Sequence, residues 1–148
     1  YECGAIKVKA NFVGGINGKQ IGYYRTGEVK FMVNFVDGKE QGEEIEYYKS
    51  GAVKQKDNYV NGKRIGYYES GEVKFMINFV DGEFQGEGIE YYESGAVKQK
   101  DNYVGGRQQG EEIGYYENGA VSYKTNYVDG KQKGESIRYT LNGEIEKK

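Results

Sequence analysis

Tyr47-Tyr48-Lys49-Ser50-Gly51-Ala52-Val53-Lys54, followed by Asn58-Tyr59-Val60-Asn61-Gly62, is one statement of a pattern that fills the whole chain. Tyrosine pairs stand at Tyr23-Tyr24, Tyr47-Tyr48, Tyr67-Tyr68, Tyr91-Tyr92 and Tyr115-Tyr116, with Tyr139-Thr140 as a degraded sixth, at steps of 24, 20, 24, 24 and 24 residues. A fixed period of this size marks a repeat array, in which each unit buries its apolar surface only against its neighbours. We expect one array over residues 1–148, with units at about 4–26, 27–50, 51–70, 71–94, 95–118 and 119–142 and a terminal fragment at 143–148.

The composition says what each unit is made of. The 148 residues include sixteen Tyr, six Phe and many Val and Ile, but a single leucine, Leu141. β-Branched and aromatic side chains suit a pleated, half-buried surface, so the bias favours strands over helices. Pro is absent and Gly is 24, so glycine must make the turns.

Side chains after the first glycine of a unit alternate with period two. Val29, Phe31, Val33 and Phe35 are expected on one face, with Lys30, Met32, Asn34 and Val36 on the other. Before the next turn, Ile45 and Tyr47 share a face opposite Glu44, Glu46 and Tyr48. Reading Lys49-Ser50-Gly51 as a three-residue loop with a left-handed glycine pairs Tyr48 with Ala52 and Tyr47 with Val53. Counting on without interruption sets Glu46 opposite Lys54, Glu44 opposite Lys56 and Glu90 opposite Lys98. The same treatment of Val60-Asn61-Gly62 puts Ile65 and Tyr67 on the face of Asp57 and Tyr59, so a single apolar face is expected.

The fold class is therefore all-β: an elongated antiparallel meander of about a dozen strands in repeated hairpins, single-layered or curled. The unit at 51–70 lacks four residues that its neighbours carry, an even number that keeps side-chain parity. A longer echo runs through the array. Residues 28–38 match 72–82 except for Val33 against Ile77, and residues 51–60 are identical to 95–104, which points to duplication of a two-unit block.

The Tyr-Tyr-x-Asn-Gly-x-Val run at residues 115–121 and the Asn-Tyr-x-x-Gly-Lys-x-x-Gly run at 126–134 resemble the bacterial variant of the membrane occupation and recognition nexus (MORN) repeat. The resemblance covers essentially the whole chain. It implies an antiparallel hairpin meander and a non-enzymatic interaction protein. Bacterial members include antitoxins of toxin–antitoxin pairs, and others carry a phosphatidylinositol-phosphate kinase label inherited from similar repeats in plant kinases.

Chemistry outside the repeat is sparse. With His at zero, Ser-His-Asp and Cys-His constellations and histidine metal sites are excluded within the chain, and no catalytic residue is assigned. Residues 14–20, Gly-Gly-Ile-Asn-Gly-Lys-Gln, are one residue short of a phosphate loop and carry Gln20 where Ser or Thr would bind magnesium, so they read as a turn. Asp37, Asp81 and Asp129 sit singly in Asp-Gly turns, too dispersed for calcium. No cofactor or metal is expected. The recurring Asn11, Asn34, Asn58, Asn78, Asn102 and Asn126 could form a ligand ladder but read better as side-chain bonds to nearby backbone.

A net charge of −2 offers no bulk attraction to phosphate, so nucleic acid is not expected as a partner. Cys3 is alone and cannot form an internal disulfide, and no apolar run approaches a membrane span. The chain starts in mid-motif, Tyr1-Glu2-Cys3-Gly4 matching Tyr24-Arg25-Thr26-Gly27, which points to a removed upstream segment and leaves no compartment legible.

Two surfaces are candidates for binding. Tyr24, Tyr48, Tyr68, Tyr92 and Tyr116 form a column among Glu and Lys, where rings offer large rigid area at low entropic cost. Lys19, Lys39, Lys63, Arg107 and Lys131 follow one edge, which would suit acidic headgroups or an acidic partner. The leading expectation is a protein partner, in the antitoxin-like form a toxin. Membrane-surface or phosphoinositide recognition and an envelope-associated structural or adhesive role are the alternatives. Open sheet ends make self-association a further expectation.

Overall fold

The computed structural model describes residues 7–15, 17–58 and 61–146. Tyr59 and Val60, Cys3 and the Tyr1–Gly4 motif lie outside them, as do the side chains of Asn58 and Asn61.

Within the described residues the chain forms one antiparallel sheet of fifteen strands. The early strands are β1 (Lys7–Val13), β2 (Asn17–Tyr23), β3 (Val29–Val36), β4 (Lys39–Glu40), β5 (Glu43–Tyr47), β6 (Val53–Asn58) and β7 (Asn61–Tyr67). The later ones are β8 (Val73–Val80), β9 (Glu83–Phe84), β10 (Gly86–Tyr91), β11 (Val97–Val104), β12 (Arg107–Gln108), β13 (Gly110–Tyr115), β14 (Val121–Val128) and β15 (Lys131–Arg138). Twelve strands follow one another across the sheet in chain order, from β1 to β15. The two-residue strands β4, β9 and β12 fold back only on β3, β8 and β11. The meander is open, as the period-two alternation implies.

Turn chemistry alternates along the two long edges. On one edge, Gly51 N–H donates to Tyr48 O at 3.0 Å and Tyr48 N–H to Ala52 O at 2.8 Å, with Gly51 at φ 90°, so the three-residue loop forms as read from the sequence. On the other edge, Asp37, Asp81 and Asp129 take φ of 51–52° and hand over to a following glycine. Two successive left-handed residues are what a tight hairpin of primed type requires, and Asp and Gly tolerate them best. Gly105-Gly106 makes the corresponding turn with two glycines, and the two-residue strands after the turns at 37, 81 and 105 are followed by left-handed Gly42, Gly86 and Gly110, where the chain re-enters the sheet.

One expectation is overturned. Tyr47 pairs with Val53, but the next pair is Glu46 with Gln55, so Lys54 is an extra residue in the ladder. The same one-residue bulge follows Tyr23, Tyr67, Tyr91 and Tyr115, at Lys30, Lys74, Lys98 and Ser122. Because side chains alternate with period two, one inserted residue transfers everything beyond it to the other face. Val29 therefore lies opposite Tyr23, while Phe31, Val33 and Phe35 lie on the reverse side with Gly22 and Gln20. Glu44 faces Asp57, not Lys56, and Lys56 pairs with Ile45 and Ile65. The reading of Val60-Asn61-Gly62 as a second three-residue loop fails as well: β6 and β7 pair Gln55 with Gly66 and Lys56 with Ile65, one residue off that register, so Ile65 and Tyr67 occupy the face opposite Asp57. The charge pairs Glu46–Lys54 (3.0 Å) and Glu90–Lys98 (2.8 Å) do form, because the bulged lysine leans across to its neighbour.

The bulge creates two distinct faces instead of one apolar one. An isoleucine–tyrosine face carries Ile21, Ile45, Ile65, Ile89 and Ile113 beside the first tyrosine column, Tyr23 to Tyr115, with Met32, Lys56, Met76, Lys100 and Lys124 between them. A polar–aromatic face carries the remainder of the strand interiors. Among the described residues the four buried side chains, Val33, Asp57, Phe79 and Thr125, lie on this second face. In a single-layered sheet, side chains reach such burial only where the sheet curls and neighbouring strands cover one another.

The curl needs glycine at one row. A single line of paired residues crosses the polar–aromatic face as Gly22, Phe31, Glu46, Gln55, Gly66, Phe75, Glu90, Gln99, Gly114, Tyr123 and Arg138. Phe31, Phe75 and Tyr123 each lie flat over the glycine beside them, in space that a Cβ would occupy. Replacing Gly66 by Ala should therefore cost about 1–3 kcal/mol of stability through overpacking. Urea denaturation measures it, and Phe75→Leu in the same background should recover part of the loss.

Candidate interaction surface

The second tyrosine column sits on the polar–aromatic side, at the edge where the three-residue loops turn. Each of its hydroxyls is spent on the next unit. Tyr24 donates to Tyr47 O, Tyr48 to Tyr67 O, Tyr68 to Tyr91 O, Tyr92 to Tyr115 O and Tyr116 to Tyr139 O, every bond 2.7 Å long. The rungs recur because each tyrosine is followed by the same loop and the same bulge. The rings are half-buried, and Lys74 lies 5.6 Å over the Tyr68 ring. The acceptors are the backbone carbonyls of Tyr47, Tyr67, Tyr91, Tyr115 and Tyr139, and the side chains of the first column, Tyr23 to Tyr115, face the other way.

The opposite edge has its own ladder. Gly105 N–H donates to Gln85 Oε1 at 3.0 Å and Asp129 N–H to Gln109 Oε1 at 2.8 Å, while Gly106 and Gly130 donate to Phe84 O and Gln108 O. Asp37 N–H uses Asn17 Oδ1 at 2.7 Å instead. At the recurring asparagines it is the backbone that bonds: Gln41, Gln85 and Gln109 N–H donate to Asn34, Asn78 and Asn102 O.

The five basic residues named for this edge do not form one row. Lys39, Arg107 and Lys131 stand at hairpin tips, paired with Val36, Val104 and Val128. Lys19 and Lys63 lie within β2 and β7 opposite Asn34 and Asn78. Their units lack the short fold-back strand, so the same sequence position falls further inside the sheet. Val36, Val80, Val104 and Val128 are exposed along the tips.

Sequence reasoning missed the middle of the polar–aromatic face. Asp57, 4% exposed, receives the Arg64 guanidinium at 2.6 Å (Nε to Oδ1) and the Gln55 amide at 2.8 Å. That guanidinium lies 5.0 Å over the Phe79 ring and 5.6 Å over Phe84. Further along, Asp101 accepts from Gln99 (3.2 Å) and the Tyr103 hydroxyl (3.3 Å). Glu112 accepts from Gln108 and from Tyr123, whose hydroxyl also lies 2.8 Å from Gln99 Oε1. A cavity of about 460 Å³ opens here, lined by Arg64, Phe84, Gly88, Gln99, Asp101 and Tyr103 among others. The signal that could have found it is the bulge, since only the corrected register sets these side chains on one face.

Burial governs the protonation of this region. Desolvation, reinforced by the nearby Glu112 and Glu90 charges and opposed by hydrogen bonds from Gln99 and Tyr103, raises the Asp101 carboxyl. Tyr103 is pushed up to about 12 by desolvation and by Asp101, and Tyr123 is raised further by desolvation and Glu112. The hydrogen bond to Glu90 raises Lys98. Among the described residues no group of three or more His, Cys, Asp or Glu is placed to hold a metal ion.

A family model described as MORN repeat variant matches the chain five times, at residues 16–37, 40–61, 60–81, 84–104 and 108–129. No curated protein matches it.

Two outcomes follow from this geometry. Tyr68→Phe removes one rung and should lower unfolding free energy by about 1 kcal/mol, with losses accumulating as Tyr24, Tyr48, Tyr92 and Tyr116 are changed in turn. An Asp whose carboxyl is raised in the fold favours folding only while protonated, and that advantage is lost as pH rises through its folded value. Asp101→Asn should therefore melt above the parent at neutral pH. The gap should close on acidification below the ordinary carboxylate range, and a pH-independent gap would contradict the assignment.

Proposed function

The chain belongs to the MORN repeat variant family, a non-catalytic repeat type whose members are generally protein- or membrane-interaction modules, and from that premise we propose that it binds a protein partner through its polar–aromatic face. The contact runs along the rings of Tyr24, Tyr48, Tyr68, Tyr92 and Tyr116. The observation that carries this reading is the commitment of all five hydroxyls to backbone carbonyls. A rigid, pre-ordered row of half-exposed rings gains contact area without the side-chain ordering cost that usually opposes association. Beside the row lies an open face that mixes aromatic, amide and carboxylate groups, the composition of a specific rather than a purely apolar contact.

The narrower form of the reading, in which this chain neutralises a toxin, draws on the resemblance to bacterial repeat proteins of toxin–antitoxin pairs and on no feature of the sheet. A membrane-surface role draws on Lys39, Arg107 and Lys131 beside the exposed valines of the tips. Asp37, Glu40, Glu83 and Asp129 share those tips and offset their charge, so the protein partner is the better reading.

Affinity capture separates these possibilities. The parent chain should retain one protein in stoichiometric amount. A variant with Tyr48, Tyr92 and Tyr116 changed to Phe, which keeps the rings but frees them from their carbonyls, should retain it more weakly, while the Ser counterparts, folded by circular dichroism, should lose it. Capture that survives in the folded Ser variant sinks the tyrosine surface. Salt-sensitive binding of the parent to anionic vesicles, with no protein captured, would move the function to the basic tips.

A further inference from the structure

The internal duplication repeats one decapeptide at residues 51–60 and 95–104, and its strand residues 53–58 and 97–102 lie in the same sheet with the same register against the preceding strand. Each places an aspartate at the same point of the polar–aromatic face, Asp57 in β6 and Asp101 in β11. Their neighbours differ. Asp57 lies between Glu44 of β5 and Arg64 of β7 and holds the Arg64 guanidinium, which is sandwiched against Phe79 and Phe84. Asp101 lies over Gly88 of β10, with Glu112 of β13 on its other side. In the second copy Arg64 has thus become Glu112 and Glu44 has become Gly88.

The exchange leaves two carboxylates without the cation that the first copy supplies. Asp101 and Glu112 are bonded by neutral donors only, Gln99, Tyr103, Gln108 and Tyr123, and among the described residues neither is ion-paired. Lys98 is paired with Glu90 and Lys100 with Glu87, while Arg64 and Lys74, which line the same cavity, are engaged by Asp57 and by the Tyr68 ring. Glycine at 88 leaves room for the Asp101 carboxylate, and the cavity of about 460 Å³, lined by both residues, opens beside it. Phe84 and Tyr103, 5.6 Å apart edge to face, wall it on one side.

We propose that Asp101 and Glu112, above Gly88, form a docking point for a guanidinium, the side chain of an arginine presented by the partner protein. The proposal rests on the protein-binding reading given above and names the group that the partner contributes. Carboxylates matched to a planar fork, with aromatic faces alongside, select arginine over lysine, and the chain already uses this solution once in Asp57–Arg64. A partner guanidinium would also offset the desolvation, and with it the Glu112 repulsion, that raise Asp101.

The test uses N-acetyl-L-argininamide as the probe, titrated into the full chain and followed by NMR. Saturable shifts should appear at Gly88, Gln99, Asp101 and Tyr103, the isosteric but uncharged citrulline amide should leave them still, and Asp101→Asn should weaken the response by about tenfold or more, the loss expected for a hydrogen bond between charged groups. Glu112→Arg rebuilds the first copy's pair within the chain. It should raise the melting temperature and abolish the response to the probe. No saturable shift in the parent, an equal response to citrulline amide, or full binding by folded Asp101→Asn overturns the proposal. If the probe fails while the parent still captures a protein through its tyrosines, the guanidinium site is wrong and the protein-binding reading stands. If the probe binds as described and nothing is captured, the reverse holds.

Discussion

A single inserted residue after each tyrosine turn is the constraint on which the rest of this sheet depends. Lys30, Lys54, Lys74, Lys98 and Ser122 each add one residue to one strand of a hairpin, and each addition exchanges the two faces of everything that follows. Without it the isoleucines, phenylalanines and valines would gather on one side as an apolar sheet in need of a second layer. With it they are divided. The isoleucines stay with the first tyrosine column, while the phenylalanines move to the side of the glycines, carboxylates and amides, where the sheet curls and buries Val33, Asp57, Phe79 and Thr125.

Stability in such an object is local. Each unit is joined to the next by a tyrosine hydroxyl on one edge and by hairpin-tip hydrogen bonds on the other, with ring-over-glycine packing between. Individually these are worth about a kilocalorie per mole or so, but they repeat, and a quasi-one-dimensional array adds its interfaces nearly in sequence. The same arrangement fixes the functional surface. Tyrosines that hold the array together present their rings in a fixed row, and the face beside them is open because no second layer covers it.

Much of the fold was legible in the chain. The 24-residue period gave the array, glycine with Tyr-x-x-Gly spacing gave the three-residue loops, and the scarcity of leucine favoured strands. The pairing of Tyr47 with Val53 followed from loop length alone. What could not be read was the bulge, because Lys54 continues a perfectly alternating pattern and nothing in its side chain marks an interruption. The error was confined to register, and it spread from there. Glu44–Lys56 was a false pair, Asp57 was assigned to the wrong face, and the Arg64–Asp57 contact and the Asp101–Glu112 pair were invisible. Glycine at 22, 66 and 114, opposite an aromatic each time, is in retrospect the trace the bulge leaves in sequence, since only in the shifted register do those rings lie over those glycines.

The division of faces can be checked without reference to any partner. Cross-strand nuclear Overhauser effects in the isolated protein report which residues oppose each other in the hairpin from Glu43 to Asn58. The structure predicts contacts of Glu46 with Gln55 and of Glu44 with Asp57, alongside Tyr47 with Val53. Contacts of Ile45 with Gln55 and of Glu44 with Lys56 at the directly opposed positions would describe an unbulged hairpin with one apolar face, and would contradict the two-faced sheet.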